Sequence, residues 1–574
     1  MTAVGIDVGT GSVRVYCENE DTIQTYEAEI ATTHNANFIT QSSKEIFTKI
    51  LDLFARLNID HVSGISTTAT CSMVVLQKME VNGSIFLKPF SQISGISDTN
   101  GPIPNQDVLL WMDGRAFKQT DRYNQRLRDT KFSSSVGGKF VPELGVPKLK
   151  WLSDNFPESN LVCFELYDWI NYLLLVGGFS EKELVEYRPR KKDFNNDSSA
   201  MDGSIKGWSK QTLTSVFEIS KNIEIGGADF DVATEFLLPV GYPLGTVHKA
   251  FAFKDAVVGN GCIDCYAGWL STIVAPENRL GLTGGQLSMI AGTSTCFLLA
   301  SECTSPITGV WGPYDKLLPN VQMYELGQPA TGKLFEKLFS KFDKLIQDKL
   351  GDKATASEIF AYVEEETVRL SSPTITRAIR NYFYYGDVFG NRSPLSDFTM
   401  SEMVIDGYNY DCKLAPIIDS YDKVASLVIR YNLILEFLCF QTKHIIEVLS
   451  QPEQINITEI VISGSQANNR RFLQLLSDIT NLKVTKLCEK SKYSVAKGAS
   501  IMAEAGTGLM QEKNAANIDA DSYARVLGRI IRNTTEQEEV VPTKVDELLV
   551  AKKYEIYKDM AKVQAKYREL VNSD

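Results

Sequence analysis

The densest chemistry in this 574-residue chain lies near its start, in Asp7-Val8-Gly9-Thr10-Gly11-Ser12 followed by Arg14. Glycine lets a backbone approach a ligand closely, so Gly9 and Gly11 can present N–H groups to phosphate oxygens. Thr10 and Ser12 add hydroxyl donors, Arg14 adds a charge, and Asp7 stands where a carboxylate could hold Mg²⁺ directly or through water. The same residues also read as an ordinary hairpin turn at a sheet edge. A dinucleotide fingerprint would need a third glycine at Arg14 and a helix after the turn. A Walker loop would need Gly-Lys-Ser/Thr. Neither is present.

A second copy of the pattern raises its weight. Leu287-Ser288-Met289-Ile290-Ala291 leads into Gly292-Thr293-Ser294 and then Thr295-Cys296-Phe297-Leu298-Leu299. Two such hairpins suggest two like domains facing one nucleotide. Between them, Val257-Val258-Gly259-Asn260-Gly261-Cys262-Ile263 runs into a lone acid, Asp264. A single carboxylate there could be a general base, or simply a first-turn acid favoured by the helix dipole. Downstream, the strand Glu459–Ser463 meets Gly464-Ser465-Gln466-Ala467-Asn468-Asn469, which reads as a nucleotide contact or as a plain β–α turn. The hydroxyl-rich run Ile65–Met73, with Thr70, could bind a polyol or be a polar strand. Trp111-Met112-Asp113-Gly114-Arg115 brings an aromatic plane and a carboxylate together, as sugar recognition would, or starts a helix capped by Asp113.

The elements that must position these residues are legible in outline. Strands are expected near 3–8, 13–18, 61–67 and 72–78, with an amphipathic helix over Lys44–Leu57. A polar, exposed loop containing Arg188-Pro189-Arg190-Lys191-Lys192 is expected over 177–204, and a domain boundary near 250–285. Tyr324–Gly332 reads as a polar turn that starts a helix, and Gly386–Leu395 as a dense loop. Long helices are expected over 415–450 and, with charges toward solvent, over 543–572. Lys497–Gly506 reads as a tightly packing small-residue helix.

Composition bounds the function. The chain is 44% hydrophobic and 23% charged, an ordinary globular balance, and its length predicts two to four domains. A net charge of −12 argues against nucleic acid as the main partner. The start lacks a basic region followed by an apolar core, and no run was found that approaches a membrane span, so a cytoplasmic protein with reduced thiols is expected. Cys262 and Cys265 form one C-x-x-C without a second pair, so two buried thiols are expected there, not zinc.

Together these stretches resemble the FGGY family of carbohydrate kinases, from Val4 to Gly506. The resemblance implies an α/β fold of two ribonuclease-H-like (actin/hexokinase-type) domains with an interdomain cleft. It divides the chain into 1–260, 261–515 and a C-terminal helical extension at 516–574. Thr70-Cys71-Ser72, Trp111–Ala116 and Gly390-Asn391-Arg392-Ser393-Pro394 are most similar to the ribulokinase-like branch, D-ribulokinases in particular. By this resemblance Asp264 is the general base and Asp7 assists Mg²⁺. Gly9, Thr10, Gly11, Ser12 and Arg14 take phosphates from one side, with Gly292, Thr293 and Ser294 on the other. Gly464, Ser465, Gln466 and Asn469 contact adenosine. Thr70, Asp113, Glu325 and Lys206 surround the sugar; the polar 177–204 stretch falls where ribulokinases carry a substrate lysine, and Lys206, just before Gly207-Trp208, is the candidate for it. The implied cofactors are ATP and Mg²⁺, and a homodimer is compatible with the resemblance. Leu326 and Pro329 depart from the usual glycine and serine beside Glu325. The implied reaction is phosphorylation of D-ribulose. Other ketoses or polyols (D-xylulose, L-ribulose, a heptulose), or a weakly catalytic sensor on the same scaffold, are the alternatives.

Overall fold

The computed structural model describes residues 2–19, 22–95, 105–195, 197, 203–273, 285–371, 373–406, 422–451, 455–487, 491–512, 520–531 and 537–572. Parts of three expected features, within 177–204, 250–285 and 415–450, lie outside those residues.

The chain opens with β1 (Ala3–Val8), β2 (Ser12–Glu18) and β3 (Ile23–Glu29), followed by α1 (Ser43–Phe54), β4 (Gly64–Ala69) and β5 (Met73–Val81). Helix α1 starts where Ser42 accepts from the Glu45 N–H, and it buries Ile46, Phe47, Ile50, Leu53 and Phe54. That is one face of a 3.6-residue period. Further on come β6 (Pro243–Thr246), β7 (Val257–Ile263), α2 (Asp264–Thr272), β8 (Gln286–Ala291), β9 (Thr295–Ser301) and β10 (Gln322–Gln328). The last third holds α3 (Lys423–Ser450), β11 (Glu459–Ser463), α4 (Arg470–Thr480), β12 (Lys483–Leu487), α5 (Ser494–Glu512), β13 (Gln537–Val540) and α6 (Glu547–Asn572).

Two compact units result. The first comprises Met1–Gly284, Leu298–Glu325 and Lys492–Thr535; the second comprises Gly285–Phe297, Leu326–Ser491 and Glu536–Asp574. The division expected at 260/261 instead falls inside β7, and the 516–574 extension is shared between the units. Contacts distant in sequence decide both points: α5 packs on β1, β4, β7 and α2 and so draws the 492–535 segment into the first unit.

In the first unit the sheet order is β6-β7-β4-β1-β2-β3. β7, β4 and β1 are parallel, and β1-β2-β3 is an antiparallel meander. Helix α5 lies so close to β1 that a Cβ on Gly5 would run into the Ala496 carbonyl, and one on Gly498 into that of Ala267 in α2. In the second unit β8, β11 and β12 are parallel, β13 adds an antiparallel edge, and β9 neighbours β8. Both units therefore set a glycine-hydroxyl hairpin beside two parallel strands, as the duplicated sequence pattern predicts.

Some local expectations change. Tyr324–Gln328 lies in strand β10, and the helix after it starts only at Gly332. The 177–204 loop is not uniformly exposed: Val185 and Tyr187 are buried, and the half-buried Arg190 lies 3.0 Å from Asp229. Helix α6 buries Lys553 against Glu436, so its charges do not all face solvent. By length and composition α3 could cross a membrane, yet 83% of its apolar window is buried inside the protein.

Candidate active site

Asp264 follows directly on β7 as the first residue of α2. Burial, together with the nearby charge of Asp7, pushes its carboxyl up to about 7, opposed by the Cys265 N–H and by Arg14. Asp7 is the next-to-last residue of β1, in the same sheet. Burial raises it to about 6, and the Arg14 guanidinium, 3.1 Å from Oδ2, pulls it back down. A buried carboxylate held near neutrality is what a general base for a hydroxyl needs, because the ionised form must exist at working pH and still accept a proton.

The Gly9–Ser12 turn is built tightly. The Gly9 N–H donates to the Ser12 carbonyl at 3.0 Å, so Gly9 closes the turn and its donor is spent there. Gly292 does the same in the second turn, donating to the Ser294 carbonyl at 2.9 Å. Gly11 is different. Nothing lies within 4 Å of where its Cβ would stand, so its missing side chain leaves open space beside the backbone. Thr10 accepts at Oγ1 from the Trp111 indole N–H at 3.0 Å, which leaves its own hydroxyl proton to donate. Ser12 gives its proton to Glu27 Oε1 at 2.9 Å. Arg14 donates from Nε to that same Glu27 oxygen at 3.0 Å. The second turn is backed by a helix entrance, where Thr331 and Gly332 donate to the carbonyls of Thr293 and Gly292, both at 3.0 Å.

Gly464 takes φ 89° directly against Ala291, a position where a side chain would be both strained and crowded. Residues Ser465–Asn468 form a single 3₁₀ turn, and Asn469 caps α4 by accepting from the Phe472 N–H at 3.1 Å. Its amide donates to the Tyr431 hydroxyl at 2.7 Å, so Asn469 shapes this corner. Ser465 is exposed and Gln466 is buried.

Residues 287–506 match the model of the FGGY family of carbohydrate kinases, C-terminal domain. A D-ribulokinase of Saccharomyces cerevisiae is 31% identical over 84% of this chain and 68% of its own length. The chain belongs to the FGGY family of carbohydrate kinases. Protein MPA43 of the same yeast is 28% identical over 100% of this chain and 98% of its own. The crystal structure of a xylulose kinase from Rhodospirillum rubrum shares the fold at a TM-score of 0.67 and 14% identity, with 99% of each chain covered.

As an FGGY sugar kinase, the chain holds its remaining predicted site residues in unequal readiness. Glu325 is buried and accepts from the Tyr266 hydroxyl at 2.6 Å. Thr70 Oγ1 pairs with Ser72 Oγ at 2.8 Å. Lys206 is buried with its ammonium 2.9 Å from Asp168 and 3.7 Å from Asp229. Asp113 departs from its expected role. It is fully buried and caps no helix, since the next helix begins at Phe117. Its Oδ1 accepts from the Arg115 N–H and Nε at 3.1 and 2.7 Å, and its Oδ2 from Arg115 Nη2 and the Ile39 N–H at 2.7 and 2.6 Å. All four acceptor positions of the carboxylate are filled, so Asp113 fixes Arg115 and has no lone pair left for a sugar hydroxyl.

Three residues of this region carried no signal in the sequence. Glu27 sits on β3, directly across from Arg14. Lys148 is buried, its pKa lowered by burial, and donates to the carbonyls of Leu110 and Trp111 at 2.8 and 2.9 Å. Tyr266, two residues after Asp264, holds Glu325. Only the strand register of Glu27 could have been anticipated, from pairing the β1–β2 turn with the next strand.

The residues present fit both groups that the family implies. Gly11 leaves room for a phosphate, with Thr10 and Arg14 as donors beside it. Asp7 is buried and Asp264 half-buried, and Asp7's charge raises Asp264, the situation a divalent cation relieves.

Proposed function

We propose that this carbohydrate kinase transfers the γ-phosphoryl group of ATP to a hydroxyl of a pentulose, D-ribulose to D-ribulose 5-phosphate. The observation that carries the mechanism is Asp264, a half-buried carboxyl brought up to about 7 in the same unit as the Gly9–Ser12 turn. The similarity to a D-ribulokinase over most of this chain supports the choice of sugar.

A sugar hydroxyl is a weak nucleophile at neutral pH. Asp264 accepts its proton as the oxygen attacks, a contribution of about 10²–10⁴-fold. The larger share comes from positioning and charge neutralisation of the phosphoryl group. Thr10 donates from its hydroxyl, Arg14 from its guanidinium, and Thr293 and Ser294 are assigned to the phosphates through their backbone N–H groups, that of Gly292 being used within its own turn. Asp7 would hold Mg²⁺, which would supply positive charge to offset that of the phosphoryl group. Glu325, kept in place by Tyr266, and Lys206, held between Asp168 and Asp229, are assigned to the sugar hydroxyls together with Thr70. Gly464, Ser465 and Gln466 are assigned to the adenosine.

The test is ADP release with MgATP and a panel of D-ribulose, L-ribulose, D-xylulose, D-ribose, sedoheptulose and glycerol, with Asp264→Asn as the control. Turnover selective for D-ribulose and lost in the variant is the expected result. Selective turnover of another sugar keeps the mechanism and moves the substrate, and no turnover with any sugar would sink the catalytic reading.

A further inference from the structure

We propose that Glu27 is a positioning residue for the nucleotide, holding Arg14 so that its free edge faces the phosphates. This rests on the reading of the Gly9–Ser12 turn as a nucleotide site. The register of β2 and β3 sets Arg14 and Glu27 opposite one another, at the spacing where side chains on one face meet. The guanidinium is gripped along two edges: Nε donates to Glu27 Oε1 at 3.0 Å and Nη1 to Asp7 Oδ2 at 3.1 Å. Of its five N–H groups, these bonds use two, and three remain for an anion.

Glu27 is itself fixed. Its Oε1 also takes the Ser12 proton at 2.9 Å, and its Oε2 pairs with Lys492, just ahead of α5. Ser12 is therefore an anchor of this network, not the phosphate donor its place in the turn suggests. Two carboxylates and two cations balance, so the cluster adds no net negative charge against an incoming phosphate. Without Glu27 the Arg14 fork is free to close on Asp7 alone, since parallel bidentate pairing is the preferred geometry of a guanidinium and a carboxylate. That geometry withdraws Arg14 from the turn.

The experiment measures ATP and adenosine binding to the full chain by titration calorimetry for wild type, Glu27→Ala, Glu27→Gln, Arg14→Ala and the Arg14→Ala/Glu27→Ala double variant. Glu27→Ala is expected to weaken ATP about tenfold, the scale of one charged hydrogen bond. Glu27→Gln, which keeps an acceptor for Arg14 without the charge, falls in between. The double variant binds ATP no more weakly than Arg14→Ala alone. Adenosine, which has no phosphates, binds all five proteins alike. ATP binding to Glu27→Ala that is unchanged or tighter overturns the proposal, as does an equal loss of adenosine or a loss that adds fully to that of Arg14→Ala. If Glu27→Ala does not fold, Glu27→Gln decides: wild-type ATP affinity overturns the proposal and weaker ATP with unchanged adenosine upholds it. A wild-type chain that binds no ATP at all brings down the nucleotide reading, and this proposal with it.

Discussion

In the proposed reaction Asp264 concentrates the chemistry in one carboxyl. Because its pKa is raised to about 7 and the base must be ionised, kcat/KM rises with pH through a limb near about 7 and is level above it. A pH–rate profile checks this, and Asp264→Asn is expected to lose about 10²–10⁴-fold at the plateau while still binding ATP. A raised pKa alone does not mark a site. Asp107 is also pushed up to about 7 by burial, yet its two oxygens accept from the Ser43 N–H and hydroxyl at the start of α1, at 2.7 and 2.6 Å. What separates the two is the neighbourhood: Asp264 has a second carboxylate and a phosphate-type turn nearby, Asp107 a helix to hold. Gly11 gives a second test at this scale. Gly11→Val meets no protein atom within 4 Å of its Cβ, so the fold should stay intact by circular dichroism while the KM for ATP rises.

At the scale of elements, the packing of α5 on β1 and α2 supports Asp7 and Asp264 from behind. Glycine at 5 and 498 permits it, because a Cβ at either would press into a backbone carbonyl that cannot move aside. Gly498→Ala is expected to cost about 1–3 kcal/mol, the range for overpacked interiors, read as a lowered urea midpoint with the slope unchanged. Helix α6 is tied to the second unit in a comparable way, through the buried Lys553–Glu436 pair, Tyr554 to Glu447 at 2.7 Å and Arg568 to Asp397 at 2.6 Å. Glu436→Ala leaves the Lys553 ammonium buried without its carboxylate, and a loss of about 3–5 kcal/mol is expected in the same measurement.

For the whole molecule, buried carboxylates shape stability against pH. Asp7, Asp107, Asp264 and Asp387 are all raised, to about 6, 7, 7 and 6, chiefly by burial. A carboxyl whose folded pKa lies above its unfolded value of 3.8 binds more protons folded than unfolded between the two. Its share of stability is thus present at low pH and falls as pH rises from about 4 to 7. Asp107→Asn removes one such term outside the catalytic cluster. Unfolding midpoints at pH 5 and 8 should then fall less with pH in the variant than in wild type, and equal slopes would refute the assignment.

The local pattern of residues by itself determined the two glycine-hydroxyl hairpins, the helix faces over Lys44–Leu57 and Lys497–Gly506, and the strand that leads into Asp264. Alternation, breakers and small-residue spacing act over a few positions, so they survive in the one-dimensional order. The membership of the compact units did not, because α5 joins β1 across nearly five hundred residues and no local signal records that contact. Nor did the state of the site's polar groups. Asp113 carried every mark of a sugar-binding carboxylate, but Arg115 and the Ile39 N–H fill its lone pairs. Ser12 has the place of a phosphate donor, but its proton goes to Glu27. A side chain's type states which bonds it can make; which of them are already taken is decided only when distant strands bring the partners within hydrogen-bond reach.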